Sequence, residues 1–274
     1  MSETSIRVCG VPIVGRSIAG QESYNRLPTM RSALEIGRCP SSLVPVANVF
    51  VTHAHLDHAA GIASYASQRT LQGLENGRAF LPQEAYDGFL RILEIHASLE
   101  GVERYSCVLR GVSPGDRIPL RHDLVVEVFP GSHRVPCVGY LFCERRHKLK
   151  PEFAGLGGPE LARLRERGAE VAVSTDTPLL AYPGDCDAGI FDAAPQILGA
   201  RILMIECTFL RPGEEDRARR YRHIHLSDLA ARAKDFRNEA IVLTHFSAKY
   251  PREEVEARVG SLPDALRDRI SILI

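Results

Sequence analysis

The feature that most constrains the fold is a set of histidine and aspartate residues that lie far apart in the chain but share one local context. Residues 51–61 have the sequence VTHAHLDHAAG and follow a strand-like run, and three further candidates follow other apolar runs. The full set is His53, His55, Asp57, His58, His133, Asp185 and His245. Only a fold in which several strands end at one edge could bring these residues together.

The residue types in this set indicate a metal site. Imidazole nitrogen and carboxylate oxygen are good ligands for zinc, and a tight turn at a strand end can aim several of them at one point. A solvated turn is the alternative for HAHLDH, but three matched partners elsewhere in the chain disfavour it. The other histidines, His96, His122 and His147, lie on a helix face or in charged stretches, where packing or solvation accounts for them.

The rest of the chain alternates short β-rich runs with helical patterns, which favours an α/β fold with a sheet core and outer helices. Strand-like runs cover residues 46–51, 124–129, 138–143, 179–182, 201–205 and 241–244. Helical spacing covers residues 84–99 and 227–236, and we expect Ser227 to be the N-cap of the second helix.

Composition excludes several other classes of protein. Lysine plus arginine equals aspartate plus glutamate, at 34 each in 274 residues, so a nucleic-acid partner would need a local basic patch. No apolar run reaches the roughly 18 residues of a membrane span, and no secretion signal is visible. The seven cysteines are odd in number and form no CxxC, which favours reduced thiols in the cytoplasm.

The HxHxDH segment, followed by a spaced His, Asp and His, resembles the metallo-β-lactamase superfamily. The resemblance implies an αββα sandwich with two zinc ions at one edge. It assigns His53, His55 and His133 to the first zinc, Asp57, His58 and His245 to the second, and Asp185 to a bridging position. The same ligands also suit manganese or iron.

The flanking sequences resemble one family more specifically. The segments HRVPCVGYLF, YPGDC, MIECTF, HIHLSDLA and LTHFSAKY are similar to ribonuclease Z, the tRNA 3′-end endonuclease, above all to its short plant form. The resemblance covers nearly the whole chain. It implies a cytoplasmic, homodimeric phosphodiesterase that cuts precursor tRNA with a metal-activated hydroxide.

The resemblance also suggests roles for residues around the metals. Asp57 would orient or deprotonate the attacking water, and His225, in a His-x-Ser motif, would protonate the leaving group. An ordinary histidine at a helix cap is the alternative for His225, and a direct role for nearby His223 is less favoured. Glu206 would fix the orientation of a histidine, and a buried structural glutamate is the alternative.

A basic, glycine-containing segment within about residues 145–168 is the expected substrate-binding arm of a single domain spanning residues 1–274. Substrate contacts are expected from Arg145, Arg146, Lys148, Lys150, Ser247 and Lys249. A solvated hairpin is the alternative for the arm, and a solvated helix face is the expectation for residues 217–222.

Other functions remain open at this point. A small-molecule phosphodiesterase, acting on cyclic nucleotides or other diesters, would use the same metal chemistry without the arm. Another hydrolase of the metallo-β-lactamase fold would have no need of His225. A non-enzymatic binding protein is disfavoured by the complete ligand set.

Overall fold

Two mixed β-sheets form the centre of the molecule. The computed structural model describes residues 3–274, apart from the side chain of residue 165. The strands are β1 (Thr4–Val8), β2 (Val11–Ala19), β3 (Glu22–Leu27), β4 (Ser32–Leu34), β5 (Asn48–Phe50), β6 (Gly77–Pro82), β7 (Cys107–Val112), β8 (Arg117–Arg121), β9 (Leu124–Pro130), β10 (Val138–Leu149), β11 (Ala172–Tyr182), β12 (Ile202–Glu206), β13 (Ala240–Thr244), β14 (Phe246–Ser247) and β15 (Ile270–Ile272). The first sheet runs β1 to β7 in order, with β14 beside β2, and the second has the order β15-β13-β12-β11-β10-β9-β8.

Helices lie on the outer faces of both sheets. They are α1 (Leu56–Ala59), α2 (Ile62–Leu71), α3 (Gln83–Glu100), α4 (Gly158–Glu166), α5 (Ile190–Ala193), α6 (Glu215–Tyr221), α7 (Leu226–Ala231), α8 (Arg252–Gly260) and α9 (Asp264–Arg267). Short 3-10 turns occur at Pro28–Met30, Pro151–Phe153 and Pro195–Gly199. The predicted αββα sandwich of the α/β class is therefore confirmed.

The core has three layers, because each sheet packs helices on one face and the other sheet on the opposite face. In the middle layer, Phe50 stacks on Phe80 at 4.8 Å and meets Tyr140 and Phe142 edge-on at 5.0 and 5.2 Å. Burying each such ring stabilises the fold by about 1.5–3 kcal/mol. The Tyr140 hydroxyl donates to the Val51 carbonyl at 2.8 Å, which ties the second sheet to the segment that carries HxHxDH.

Two helices differ from the sequence prediction. Helix α3 covers the predicted range, but His96 is exposed and the buried residues of that helix are Leu93 and Ala97. Helix α7 begins at Leu226 with His225 as its N-cap, whereas Ser227 was the predicted cap. The stretch beyond residue 231 is not part of this helix, although the predicted range ran to residue 236.

A long hairpin, formed by β10 and β11, extends from the second sheet. The two strands pair antiparallel from Tyr140 opposite Tyr182 to Leu149 opposite Ala172. Their inner halves are buried, whereas most residues of their outer halves are exposed. We call residues 144–177 the hairpin arm; it includes the segment predicted to bind substrate.

None of the helices in residues 3–274 has the length and apolar character needed to cross a membrane. All seven cysteines have free thiols.

Candidate metal centre

The HxHxDH segment leaves β5 at one edge of the sandwich. His53 still pairs with Cys137 through an isolated antiparallel bridge, and His55 is the N-cap of α1, which contains Asp57 and His58. The helix lies directly against the backbone at Gly37, where an added β-carbon would be 1.8 Å from the Asp57 carbonyl oxygen. Glycine is required there because any side chain would push α1 out of place.

The other three candidates reach the same edge from the second sheet. His133 follows β9, Asp185 follows β11, and His245 directly follows β13. His245 has a φ of 59°, a left-handed conformation that costs a non-glycine residue about 1 kcal/mol or more. Neighbouring Gly184, with a φ of 69°, lets the Asp185 loop approach the side chain of Thr52.

These side chains form two groups whose nitrogen and oxygen atoms lie within 4.8 Å of one another. The first group is His53, His55, His133 and Asp185, and the second is Asp57, His58 and His245. Asp185 faces both groups: its Oδ2 is 3.7 Å from His53 Nε2, and its Oδ1 is 3.4 Å from Nε2 of both His58 and His245. The fold thus gathers all seven predicted ligands, with Asp185 between the two groups.

The Nδ1 atoms of four of these imidazoles face protein atoms, which turns their Nε2 atoms toward the cluster; three lie at hydrogen-bonding geometry, and that of His58 lies at ion-pair distance from a carboxylate. The pairs are His53 Nδ1 with Thr52 Oγ1 (3.0 Å), His58 Nδ1 with Glu35 Oε1 (3.3 Å), His133 Nδ1 with the Arg222 carbonyl (3.0 Å), and His245 Nδ1 with Thr208 Oγ1 (3.1 Å). Such partners fix the tautomer and orientation of a ligand and raise its basicity.

The electrostatics of the cluster suit a bound cation. Burial opposes ionisation of Asp185, but His245 and His58 outweigh it and hold the pKa of that carboxyl well below its usual range. Burial lowers the pKa of His53, so its imidazole is neutral, as a ligand must be. Within the described residues, the buried Nε2 of His133 has no hydrogen-bond partner although it faces the cluster. A metal ion in the first group would supply that partner.

Asp57 differs from the other ligands because part of its carboxylate is held by a neighbouring turn. Its Oδ2 accepts a hydrogen bond from the Gly20 amide at 2.8 Å and lies 3.5 and 3.6 Å from Nε2 of His58 and His245. Burial opposes ionisation, but these two histidines lower the pKa of Asp57. The carboxylate is therefore charged, and the β2–β3 turn sets its orientation.

His223 enters the cluster, a position that the sequence analysis had favoured less. Its ring lies 5.2 Å from that of His133 and 5.8 Å from that of His245, and its Nδ1 is 4.0 Å from Asp185 Oδ2. Glu206 Oε1 accepts from the same Nδ1 at 2.6 Å. Burial lowers the pKa of His223, but the Glu206 carboxylate outweighs it and raises the pKa to about 9.

Glu206 connects this histidine to the metal ligands. The Glu206 Oε2 atom accepts a hydrogen bond from Thr208 Oγ1 at 2.5 Å, and the same hydroxyl contacts His245 Nδ1. The Glu206 Oε1 atom accepts a second hydrogen bond from the Cys186 amide at 3.0 Å. The suggestion that Glu206 orients a histidine agrees with this geometry, and the histidine it contacts is His223.

His225 does not reach the cluster, which differs from the sequence prediction. Its Nδ1 lies 2.7 Å from the Ser227 hydroxyl and accepts from the Ser227 amide, and its Nε2 donates to the Arg211 carbonyl at 3.0 Å. The Asp228 carboxylate accepts from its backbone amide and completes a capping box. Both ring nitrogens are thus engaged at the start of α7, whereas the ring of His223 lies beside those of His133 and His245. The proton-donor role itself remains a prediction.

The expected substrate contacts fall into two sets. Arg145 donates two hydrogen bonds to Asp176 across the hairpin, at 2.8 and 2.9 Å, so its guanidinium is engaged inside the arm, and its expected phosphate contact remains a prediction. Arg146 and Lys148 are exposed and Lys150 is half-buried, all on the same arm.

The second set lies on the body, on the segment after His245. Lys249 is exposed and pairs with Glu214, and its ammonium lies 5.2 Å from the centre of the Phe209 ring. Ser247, in β14, is half-buried and donates its amide to the Thr208 carbonyl at 3.3 Å. Their contacts with substrate remain predictions.

Several residues of the site were not anticipated from the sequence, namely Glu35, Thr52, Thr208 and Arg222. A usable signal existed for Glu35, because it follows β4 as the ligands follow their strands. No sequence signal marked Arg222. It donates hydrogen bonds to Asp187, to the His133 carbonyl and to Ser132, and so joins the loops that carry His133 and Asp185.

Comparison with known proteins agrees with this geometry. A family profile described as "Beta-lactamase superfamily domain" matches residues 26–246. The chain is 34% identical over 273 residues to tRNase Z TRZ1 of Arabidopsis thaliana, covering 98% of this chain and 97% of the relative. It is 31% identical to the chloroplastic tRNase Z TRZ2 of the same plant, covering 94% of this chain and 73% of the relative. In fold, it resembles the crystal structure of the short form of human tRNase Z (ELAC1), with a TM-score of 0.61, 18% identity, and coverage of 94% and 93%.

The layered sheets, the edge cluster and the family profile define the class: this is a protein of the metallo-β-lactamase superfamily. Near-complete coverage of a relative at 34% identity gives the finer assignment. The chain belongs to the ribonuclease Z family, as its sequence segments predicted.

Proposed function

We propose that the chain is a metal-dependent endoribonuclease that removes 3′ extensions from precursor tRNA. The observation that carries the proposal is the pair of donor groups that share Asp185 beside a partnered histidine, His223. The family relationship supports the choice of substrate, since the relatives are named tRNase Z.

Two zinc ions fit the donor sets. His53, His55 and His133 would hold the first and Asp57, His58 and His245 the second, with one oxygen of Asp185 for each. When bound, the metals supply a low-pKa water and neutralise charge on the phosphodiester. Manganese or iron would also be accepted by imidazole and carboxylate ligands.

The chain's own residues would handle the protons at the two ends of the reaction. Asp57, whose Oδ2 is held by the Gly20 amide, would orient and deprotonate the attacking water. His223 would give its proton to the leaving oxygen, because its ring borders the first group and its Nδ1 is held by Glu206. Burial lowers the pKa of His223, but the Glu206 carboxylate raises it to about 9, so the ring carries a proton to donate at neutral pH.

We also propose that the protein works in the cytoplasm as a homodimer. The seven free thiols suit a reducing compartment. The dimer rests on the family relationship alone.

Cleavage of a tRNA carrying a 3′ extension, with the cut mapped at nucleotide resolution, tests the proposed function. We expect one cut at the junction between tRNA and extension, lost on chelation and restored by added zinc. Absence of cleavage, together with rapid hydrolysis of a cyclic nucleotide or dinucleotide diester, would support a small-molecule phosphodiesterase instead.

A further inference from the structure

Three arginines surround one tyrosine at the rim of the metal centre. Arg134 comes directly after the candidate ligand His133, and Arg217, Arg220 and Tyr221 lie on α6, which ends two residues before His223. We call these four residues the rim cluster. The three arginines are exposed and Tyr221 is half-buried, so the cluster is open to solvent beside the site.

The charges of the rim cluster are not neutralised by carboxylates. Across residues 3–274, no aspartate or glutamate oxygen lies within 4.0 Å of the guanidinium nitrogens of Arg134, Arg217 or Arg220. Neighbouring cations differ in this respect, because each of them has an acidic partner. Those pairs are Arg211 with Glu254, Arg219 with Asp216, Arg222 with Asp187, and Lys249 with Glu214.

Aromatic rings hold the three guanidinium groups in place instead. The Cζ atoms of Arg134, Arg217 and Arg220 lie 5.6, 5.9 and 5.8 Å from the centre of the Tyr221 ring, and Arg217 is also 5.7 Å from Phe209. A cation–π contact of this kind leaves the N–H groups of a guanidinium free to bind an anion. It also reduces the side-chain entropy that binding would otherwise remove, so the cluster is preorganised to donate to planar or tetrahedral oxyanions.

The rim cluster is next to the reacting centre. The ring of Phe209, which Arg217 approaches, lies 6.1 Å from that of His223, and Arg134 directly follows the candidate ligand His133. A polyanion whose scissile phosphate lay on the metals would therefore place its neighbouring phosphates over these arginines.

We propose that the rim cluster binds RNA backbone phosphates immediately beside the scissile bond. The proposal rests on the proposed function and adds a binding surface on the body of the protein, separate from the hairpin arm. RNA is favoured over a mononucleotide because three guanidinium groups without acidic partners offer more phosphate-binding positions than a single phosphate needs. The cluster also supplies the local basic patch that a chain of zero net charge needs.

The test compares serine variants in tRNA binding at several salt concentrations, using 3′-extended tRNA. Arg217→Ser is matched to Arg219→Ser, which removes an equal charge from the same helix but from a residue already paired with Asp216. A triple variant replaces Arg134, Arg217 and Arg220 with serine. Melting temperature and metal content establish that each variant is folded and loaded.

We expect Arg217→Ser to weaken tRNA binding roughly fivefold and to reduce the slope of log K against log salt by about 0.7–0.9, the value for one phosphate contact. The triple variant should bind tRNA on the order of 100-fold more weakly, and its slope of log K against log salt should fall by about two to three. Arg219→Ser should stay within about twofold of wild type.

The outcomes separate the two proposals. The rim proposal would be overturned if Arg217→Ser and Arg219→Ser had equally small effects on tRNA affinity and the triple variant kept the wild-type salt slope. The proposed function would stand in that case, provided that the wild-type chain still cleaves precursor tRNA. A wild-type chain that neither binds nor cleaves that RNA would overturn the proposed function itself.

Discussion

The hairpin arm and the rim cluster are both basic, but their cations are in different states. In the arm, Arg145 is engaged by Asp176, which Arg117 also contacts, and Arg146 lies 4.0 Å from Glu144. In the rim cluster, the guanidinium groups lie 5.6–5.9 Å from the centre of the Tyr221 ring and have no acidic partner within the described chain. The arm is therefore rich in basic residues yet partly neutralised, whereas the rim holds free, oriented charge.

This difference shows why the number of basic residues in a segment is a poor measure of its affinity for phosphate. Counterion release depends on the cations that are free to meet a phosphate, and an arginine already bound to a carboxylate would have to break that pair first. The sequence drew attention to RRHKLK because its charges are adjacent. In the rim cluster, Arg134 is separated from Arg217 and Arg220 by more than 80 residues and becomes their neighbour only through the fold.

The largest expected effect concerns the two histidines beside the rim. His223→Gln should reduce turnover on tRNA by roughly 10²–10⁴, the usual contribution of a general acid. His225→Gln should instead lower the melting temperature, because His225 caps α7 and buries both ring nitrogens in hydrogen bonds. Single-turnover cleavage and thermal melting of the two variants measure these effects.

A substrate with a good leaving group provides the control for this pair. Hydrolysis of a nitrophenyl phosphodiester needs little protonation, so His223→Gln should slow it much less than tRNA cleavage. An equal loss on both substrates would indicate that His223 acts through the metals and not as a proton donor. If folded His225→Gln lost more turnover on tRNA than His223→Gln, His225 would be the proton donor.

A smaller effect is expected from shortening the arm. Because Leu149 pairs with Ala172, residues 150–171 can be replaced by an Asn-Gly turn that closes the antiparallel hairpin. The deletion should weaken tRNA binding about tenfold and lower its salt dependence, since Lys150 and the tip are removed. Metal content should stay at the wild-type level, because no candidate ligand lies in the replaced segment.

Binding of tRNA to this variant, beside the triple rim variant, sharpens the comparison between the two regions. We expect the rim variant to lose more affinity than the shortened arm. If the shortened arm lost more affinity than the rim variant, the tip of the hairpin would be the main contact with RNA.

The smallest effects should come from single substitutions within the arm. Arg145→Ser should change the melting temperature by a few degrees at most, because a partly exposed ion pair contributes about 1 kcal/mol or less. Lys148→Ser should leave the melting temperature alone and weaken tRNA binding a few-fold. If Arg145→Ser weakens tRNA binding more than Lys148→Ser does, the Asp176 pair does not keep Arg145 from the substrate.

The metal centre could be predicted because the strand ends that carry the ligands are marked by apolar runs. The roles of His223 and His225 could not be separated in this way, since they are two residues apart in the short connection between α6 and α7. What decides between them is the start of α7: a helix beginning at Leu226 engages His225 as its cap, whereas a start after Ser227 would have left it free. Helix boundaries are local and often uncertain by one or two residues.

The outer half of the hairpin escaped the strand prediction for a related reason. Residues 144–149 and 172–177 have few buried side chains, so the apolar run that revealed the inner strands ends near Cys143. Backbone pairing continues the strands where the side-chain pattern does not. Glu35 and Arg222 were missed because their partners come from distant loops.

The division of the ligands between the two sheets has a consequence for the integrity of the molecule. His53, His55, Asp57 and His58 come from the first sheet, and His133, Asp185 and His245 come from the second. An ion held by both would act as a crosslink across the sandwich, and its binding free energy would be added to the free energy of unfolding in proportion to RT ln(1 + [metal]/Kd). Resistance to heat and proteolysis would then follow the supply of metal, and neither half of the chain could retain the ion alone.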